Sequence, residues 1–234
     1  MKRIALLLTC LAAAGCSKDL TDGVADAGTP PPPDAAVCVG TTVYYLNSLG
    51  ETFSPGTTDP VTNTTSIING TDPVALSPSG VSPSNYLEIT TCVNELIAPY
   101  NIRVTDMDPS PDPHQEVVLT SDNSSALGLS GGMHSISSFS CADFTNLAFV
   151  FSTDVLTTRL VCENIVFNML RNAHVDNLFS CETLPTFLEG CGDKSIVDAD
   201  APCGEFDARA CTCGGATINP HQAMLDQFGA ACPE

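Results

Sequence analysis

The sequence predicts an α+β domain: a mixed, twisted sheet with two long helices, followed by a loop-rich C-terminal subdomain stapled by disulfides. Two observations lead to this class. Short β-branched and apolar runs are grouped between long stretches of helical periodicity instead of alternating with helices one for one. Ten cysteines remain once the N-terminal leader is set aside, and half of them fall between Cys181 and Cys213.

The leader, "MKRIALLLTCLAAAGC", opens with Lys2 and Arg3, runs through apolar residues too few to span a bilayer, and ends in small residues before Cys16. It reads as a secretory signal over 1–15. Its ending resembles a bacterial lipobox, which implies a lipidated Cys16 at the mature N-terminus. With Ser17 next, the same resemblance favours the outer membrane of a bacterial cell envelope. Residues 16–36 lack a core-forming pattern and contain Pro30, Pro31, Pro32 and Pro33, the composition of an extended tether. Residues 37–234 are long enough for one domain with a substantial core, divided into a sheet and helix part (37–175) and a Cys-rich part (176–234). No later segment is long and apolar enough to cross a bilayer, so membrane contact is expected through the lipid alone.

Within the body, "TTVYYLNSLGETF" is β-branched and aromatic and reads as a strand. Residues 54–84 are rich in Pro, Gly, Ser, Thr and Asn and read as loop with one short strand near Ile67. Leu87, Ile89, Val93, Leu96 and Ile97 form a helical stripe, with Ser84 or Asn85 as its cap and Pro99 as its end. "NIRVTDM" and "EVVLTS" follow as strands across a Pro-Asp turn. "NLAFVFST" is continuously apolar, as a strand buried on both faces would be. Asp154 then caps a long helix over 155–173, and "PHQAMLDQFGA" supplies a helix near the end.

The charge balance is acidic, with Lys+Arg 8 against Asp+Glu 27 and a formal net charge of −19. Such a surface repels nucleic acid and anionic headgroups. The ten body cysteines, Cys38, Cys92, Cys141, Cys162, Cys181, Cys191, Cys203, Cys211, Cys213 and Cys232, are an even number in an exported domain and so are disulfide candidates. Cys211 and Cys213, one residue apart, are expected to bridge to different partners. The Asn-x-Ser/Thr triplets at Asn63, Asn69 and Asn123 read as turn residues.

The stretch "NIVFNMLRNAHVDN" carries the functional question. Zinc proteases of the HExxH type place two His one helical turn apart, with a Glu beside the first as base. In the metzincin branch a Gly bends the chain before a third His. With His174 set on that third His, the ligand positions are Asn164 and Asn168, the base position is Ile165 and the bend position is Arg171. "NMLRNAHVDN", with the "FVFST" strand and long helix before it, resembles the metzincin proteases. "LPTFLEGCGDKS" stands where their Met-turn would lie, and "APCGEFDARACTCGGATIN" resembles the Cys-rich tail of bacterial secreted members.

The departures from that pattern remove the chemistry. Carboxamides are weak zinc ligands, Ile165 cannot accept a proton, and Arg171 in a left-handed conformation would cost about 1–2 kcal/mol. The resemblance therefore implies a catalytically inactive, metzincin-like module that binds a peptide or an envelope protein, with no cofactor and no zinc. Two alternatives stand beside it: an active secreted zinc metalloendopeptidase with an altered site, and a structural or adhesive surface protein. Without any ancestry, Asn164, Asn168 and Arg171 read as the solvent face of a helix whose apolar side is Val161, Ile165, Met169 and Ala173. "GLSGG" places Ser130 in a G-x-S-x-G frame but lacks the strand before it and the helix after it. His114 and His134 sit in loops, Asp176 is a possible second ligand, and Asp193, Asp198, Asp200, Glu205 and Asp207 could hold a structural calcium.

Overall fold

A five-stranded sheet with helices on one face and a smaller β-layer on the other organises the chain. The computed structural model describes residues 40–142, 145–188 and 190–232, all within the unit Ala36–Glu234. The leader, Cys16, the tether and Cys38 lie outside the described residues. In chain order the elements are β1 (Thr42–Asn47), β2 (Thr52–Pro55), β3 (Thr64–Thr65), β4 (Val74–Ala75), α1 (Pro83–Ile97), β5 (Ile102–Thr105), β6 (Gln115–Leu119), β7 (Ser135–Ser137), β8 (Leu147–Val150), α2 (Thr158–Asn172), β9 (Ala201–Pro202), β10 (Thr217–Ile218) and α3 (Pro220–Phe228). The main sheet has the order β5-β1-β6-β8-β7. Its first four strands are parallel, and β7 runs antiparallel along the edge of β8.

The pleat sorts the side chains between two cores. Tyr44, Leu46, Val117, Leu119, Ala148 and Val150 face the helices. Val118, Leu147 and Phe149 face the opposite layer, where Phe53, Ile68 and Leu127 meet them. Phe53 packs edge-on to Phe149 at 5.3 Å. Strands β6 and β8 are buried along their whole length, which is why "NLAFVFST" shows no polar alternation.

Several expected boundaries move. The first predicted strand divides into β1 and β2 around Gly50, whose φ of +76° and whose approach to Pro78, where a Cβ would lie 2.6 Å from the Pro78 nitrogen, both require glycine. The short strand expected near Ile67 lies at Thr64–Thr65, and β4 follows it. Helix α1 is capped by Ser82, not Ser84 or Asn85, because the Ser82 hydroxyl accepts from the Asn85 N–H at 3.2 Å with Pro83 at the first helical position. Helix α2 begins after Thr157, not Asp154, and Thr157 Oγ1 accepts from the Leu160 N–H at 3.2 Å. Ile89, Val93 and Ile97 bury one stripe of α1, and the Cys92–Cys162 disulfide ties it to α2.

The C-terminal part is loop-rich, with β9 and β10 forming a two-stranded ribbon. Cys181–Cys191 and Cys203–Cys211 staple it locally, and Cys141–Cys213 joins it to the segment after β7. Cys211 and Cys213 thus take different partners. Cys232 is disulfide-bonded as well.

One buried group sets a pH dependence. Glu116, on β6, is 1% exposed and accepts from the Asn47 amide at 2.8 Å. Burial pushes its carboxyl up to about 8 against the opposing Asn47 hydrogen bond, with the charges of Glu51 and Asp108 adding to the rise. The folded protein therefore keeps a proton that the unfolded chain has released. The stability this confers is complete below the ordinary glutamate value and is lost as pH climbs through about 8. Replacing Glu116 with Gln, which keeps the acceptor for Asn47, is expected to flatten a decline of about 1.4 kcal/mol per pH unit in that window. Urea unfolding of both proteins between pH 5 and pH 8, on the order of one unit apart, checks it.

Candidate functional site

The candidate site is built on α2 and the segment that crosses it. Val161, Ile165, Val166, Met169 and Leu170 are fully buried in the core. Ile165, at the base position, belongs to this core face and has no access to a site. The opposite side of the helix is not a solvent face. Asn168 is 0% exposed, and the reading of Asn164, Asn168 and Arg171 as a solvated stripe is overturned because β7 and the residues after it lie over them.

Each of these polar side chains has local partners. Asn164 donates to the Leu160 carbonyl at 2.8 Å, and its Oδ1 accepts from Ser135 Oγ at 2.7 Å. Asn168 donates its side-chain amide to the Asn164 carbonyl at 3.0 Å, while its backbone carbonyl accepts from the Asn146 amide at 3.2 Å. Arg171 stays helical, so the bend does not fall there. The left-handed residue is His174, at φ 61°. The Arg171 guanidinium stacks 3.7 Å from the centroid of the Phe139 ring and reaches Asp176 at 3.3 Å. His174 Nδ1 lies 2.7 Å from the Ser140 carbonyl, to which it can only donate.

This donor set does not fit zinc. His174 is its single imidazole, Asn164 Oδ1 is engaged by Ser135, and carboxamides do not replace the missing nitrogens. Among the described residues no group of three or more His, Cys, Asp or Glu is placed to hold a metal ion, and this applies equally to the acidic residues considered for calcium. His114 and His134 do not join His174: His114 Nδ1 lies 2.8 Å from the Asp112 carbonyl, and His134 lines the cleft described below. Ser130 lies in a loop after a 3₁₀ turn and its carbonyl accepts from Ser124 Oγ, so no nucleophile elbow forms.

Asp176 is not a spare ligand either. Its oxygens accept from Arg209 Nη1 at 2.7 Å, from the Thr212 N–H and hydroxyl at 2.7 Å each, and from the Asn177 N–H at 2.8 Å. Burial opposes its charge, but the hydrogen bonds from Arg209 and Thr212 together hold its carboxyl well below the usual carboxylate range. Arg209 also pairs with Glu205 at 2.7 Å. The cluster fastens the C-terminal loops to the end of α2.

An open cleft of about 540 Å³ lies beside the covered segment. Met133 and Ser135 from the β7 approach, Leu160, Asn164 and Phe167 from α2, and Phe187 from the facing loop line it. Phe167 and Phe187 meet with ring centroids 5.7 Å apart. Glu163, on the same wall, is held by Arg159 Nε at 2.8 Å and by the Lys194 N–H at 2.9 Å. A second cavity of about 590 Å³, lined by Asp59, Pro60, Val61 and His114 among others, has no residue of α2 in its wall.

Sequence reasoning missed β7, Phe139 and the apolar cleft wall. The signals were faint: "SIS" alternates over only three residues, and Leu160 and Phe167 sit seven apart, two helical turns, on the side away from Val161 and Ile165. No protein-family model, curated protein or solved structure matches this chain.

Asp176→Ala removes the carboxylate shared by Arg171 and Arg209 and leaves Arg209 with Glu205. We expect a loss of about 2–3 kcal/mol, below the full value for a buried pair because Arg209 is partly exposed. Guanidinium unfolding at neutral pH measures it. In the parent protein the stability due to Asp176 is present above the unfolded carboxylate value and disappears as pH falls below it, so the two proteins are expected to converge in strong acid.

Proposed function

We propose that the chain is a lipid-anchored, metzincin-like protein of the bacterial envelope that lacks zinc chemistry and binds an extended peptide. The observation that carries this reading is the edge of β7 beside the cleft, which pairs with no further strand among the described residues. The Phe151 N–H donates to the His134 carbonyl at 2.9 Å, and β7 pairs with β8 at Ser135↔Val150, Ile136↔Phe149 and Ser137↔Ala148. In an antiparallel ladder the bonded pairs alternate. His134 and Ile136 therefore bond inward to the sheet, and the backbone N–H and C=O of Ser135 and Ser137 point outward. A peptide strand added there would make main-chain hydrogen bonds without any metal, and an apolar side chain would enter between Leu160, Phe167 and Phe187. The Arg171–Phe139 stack fills the end near His174, which suits a purely structural protein, but that reading gives no role to the open apolar part.

Two measurements test the proposal. Anisotropy titration against a library of labelled random octapeptides is expected to yield saturable binders that Phe167→Ala weakens by roughly 1.5–3 kcal/mol, the range for an apolar side chain losing its burial. A library with no saturable binder would defeat the reading. Elemental analysis after purification in zinc-containing buffer is expected to give less than stoichiometric zinc; one bound zinc per chain with chelator-sensitive proteolysis would establish the metalloendopeptidase instead.

A further inference from the structure

Residues 135–141 form a strap along α2. Ser135 bonds Asn164, the Phe139 ring covers the Arg171 guanidinium, and the Ser140 carbonyl meets His174 Nδ1, so the contacts advance along strap and helix together. Cys141 then ends the strap in its disulfide with Cys213, across a sequence separation of 72 residues. The contacts beneath the strap are incomplete. Ser137 Oγ, Ser138 Oγ and Asn168 Oδ1 are buried without a hydrogen-bond partner, and such atoms destabilise a closed arrangement. The covalent bridge offsets this by holding the strap down.

The bridge is also placed to be cut. Cys141 and Cys213 are both exposed, whereas Cys162, Cys203 and Cys211 are buried and Cys92 and Cys191 are half-buried. Of the four bridges joining described residues, Cys141–Cys213 is the one with both ends in solvent, and accessibility governs exchange with external thiols.

We propose that Cys141–Cys213 is a redox latch: a dithiol reductant opens it, and the strap then lifts from α2 to uncover Arg171 and His174 and lengthen the cleft. In the step, a thiolate of the reductant attacks one sulfur of the bridge, the S–S bond breaks, and the other cysteine leaves as a thiolate. The second thiol of the reductant attacks the resulting mixed disulfide and releases the remaining cysteine as a thiolate. Two electrons pass to the bridge, and the reductant ends as a disulfide. The significance of the longer cleft rests on the peptide-binding reading, but the latch is tested without any peptide.

The oxidised protein is exposed to a graded series of dithiothreitol, alkylated with iodoacetamide, and probed with phenylglyoxal, with both modifications mapped by peptide mass spectrometry. Cys141 and Cys213 are expected to alkylate at the lowest reductant concentration, and in the same fractions the modification rate of Arg171 is expected to rise to that of the exposed Arg103. Another bridge opening first, or Arg171 remaining protected once Cys141 and Cys213 are alkylated, would overturn the proposal. The Cys141→Ser/Cys213→Ser double variant removes the latch without reagent and is expected to show the same Arg171 rate with an unchanged far-ultraviolet dichroism spectrum. A folded variant with Arg171 still protected overturns it too. So does a variant that fails to fold, because the bridge would then be a condition of folding and not a latch.

Discussion

Helix α2 is enclosed on nearly every side, and the rest of the domain is arranged around that enclosure. The sheet and α1 cover one face, the β7 segment covers the opposite one, and the C-terminal loops close its end through Asp176. A helix with so little wet surface cannot leave most of its polar side chains to water. Asn164 and Asn168 accordingly bond back to the carbonyls one turn earlier, at Leu160 and Asn164. Arg171 finds an aromatic face and a carboxylate. These pairings tie the polar positions of the helix to neighbours within the fold.

The same enclosure shapes what remains open. The side of α2 carrying Leu160, Asn164 and Phe167 meets a cleft, and that cleft is bounded by a sheet edge with outward backbone groups. Apolar walls and a hydrogen-bonding rim favour an extended chain over a compact polar ligand. The binding reading therefore rests on the surroundings of the helix, and the poor fit to zinc rests on its own side chains.

Much of the sheet was legible in the sequence because burial on both faces leaves an uninterrupted apolar signature, as in "NLAFVFST". The α1 stripe was legible for a related reason: Ile89, Val93 and Ile97 repeat at one-turn spacing. Helix caps were displaced by two or three residues, since Ser82, Ser84 and Asn85 are all competent and only the backbone geometry selects Ser82. Strand β7 was illegible because three residues, two of them serine, carry almost no periodicity, and its position depends on pairing with β8, which comes after it in the chain. The expected bend at Arg171 failed for a physical reason: stacking on Phe139 and pairing with Asp176 reward a helical arginine, and the left-handed turn moves to His174.

The ion pairs inside the fold bear on how copies of this protein meet one another. The domain has five cationic side chains, Arg103, Arg159, Arg171, Lys194 and Arg209, and three of them are matched to carboxylates within the same chain. Little positive charge is left to greet an approaching neighbour, while the carboxylates greatly outnumber it. Two molecules drawing near in dilute buffer therefore push each other apart over about 10 Å, and added salt shortens that reach. A crowded film of this protein would keep its members spaced like beads of one sign, and raising the ionic strength would let it tighten.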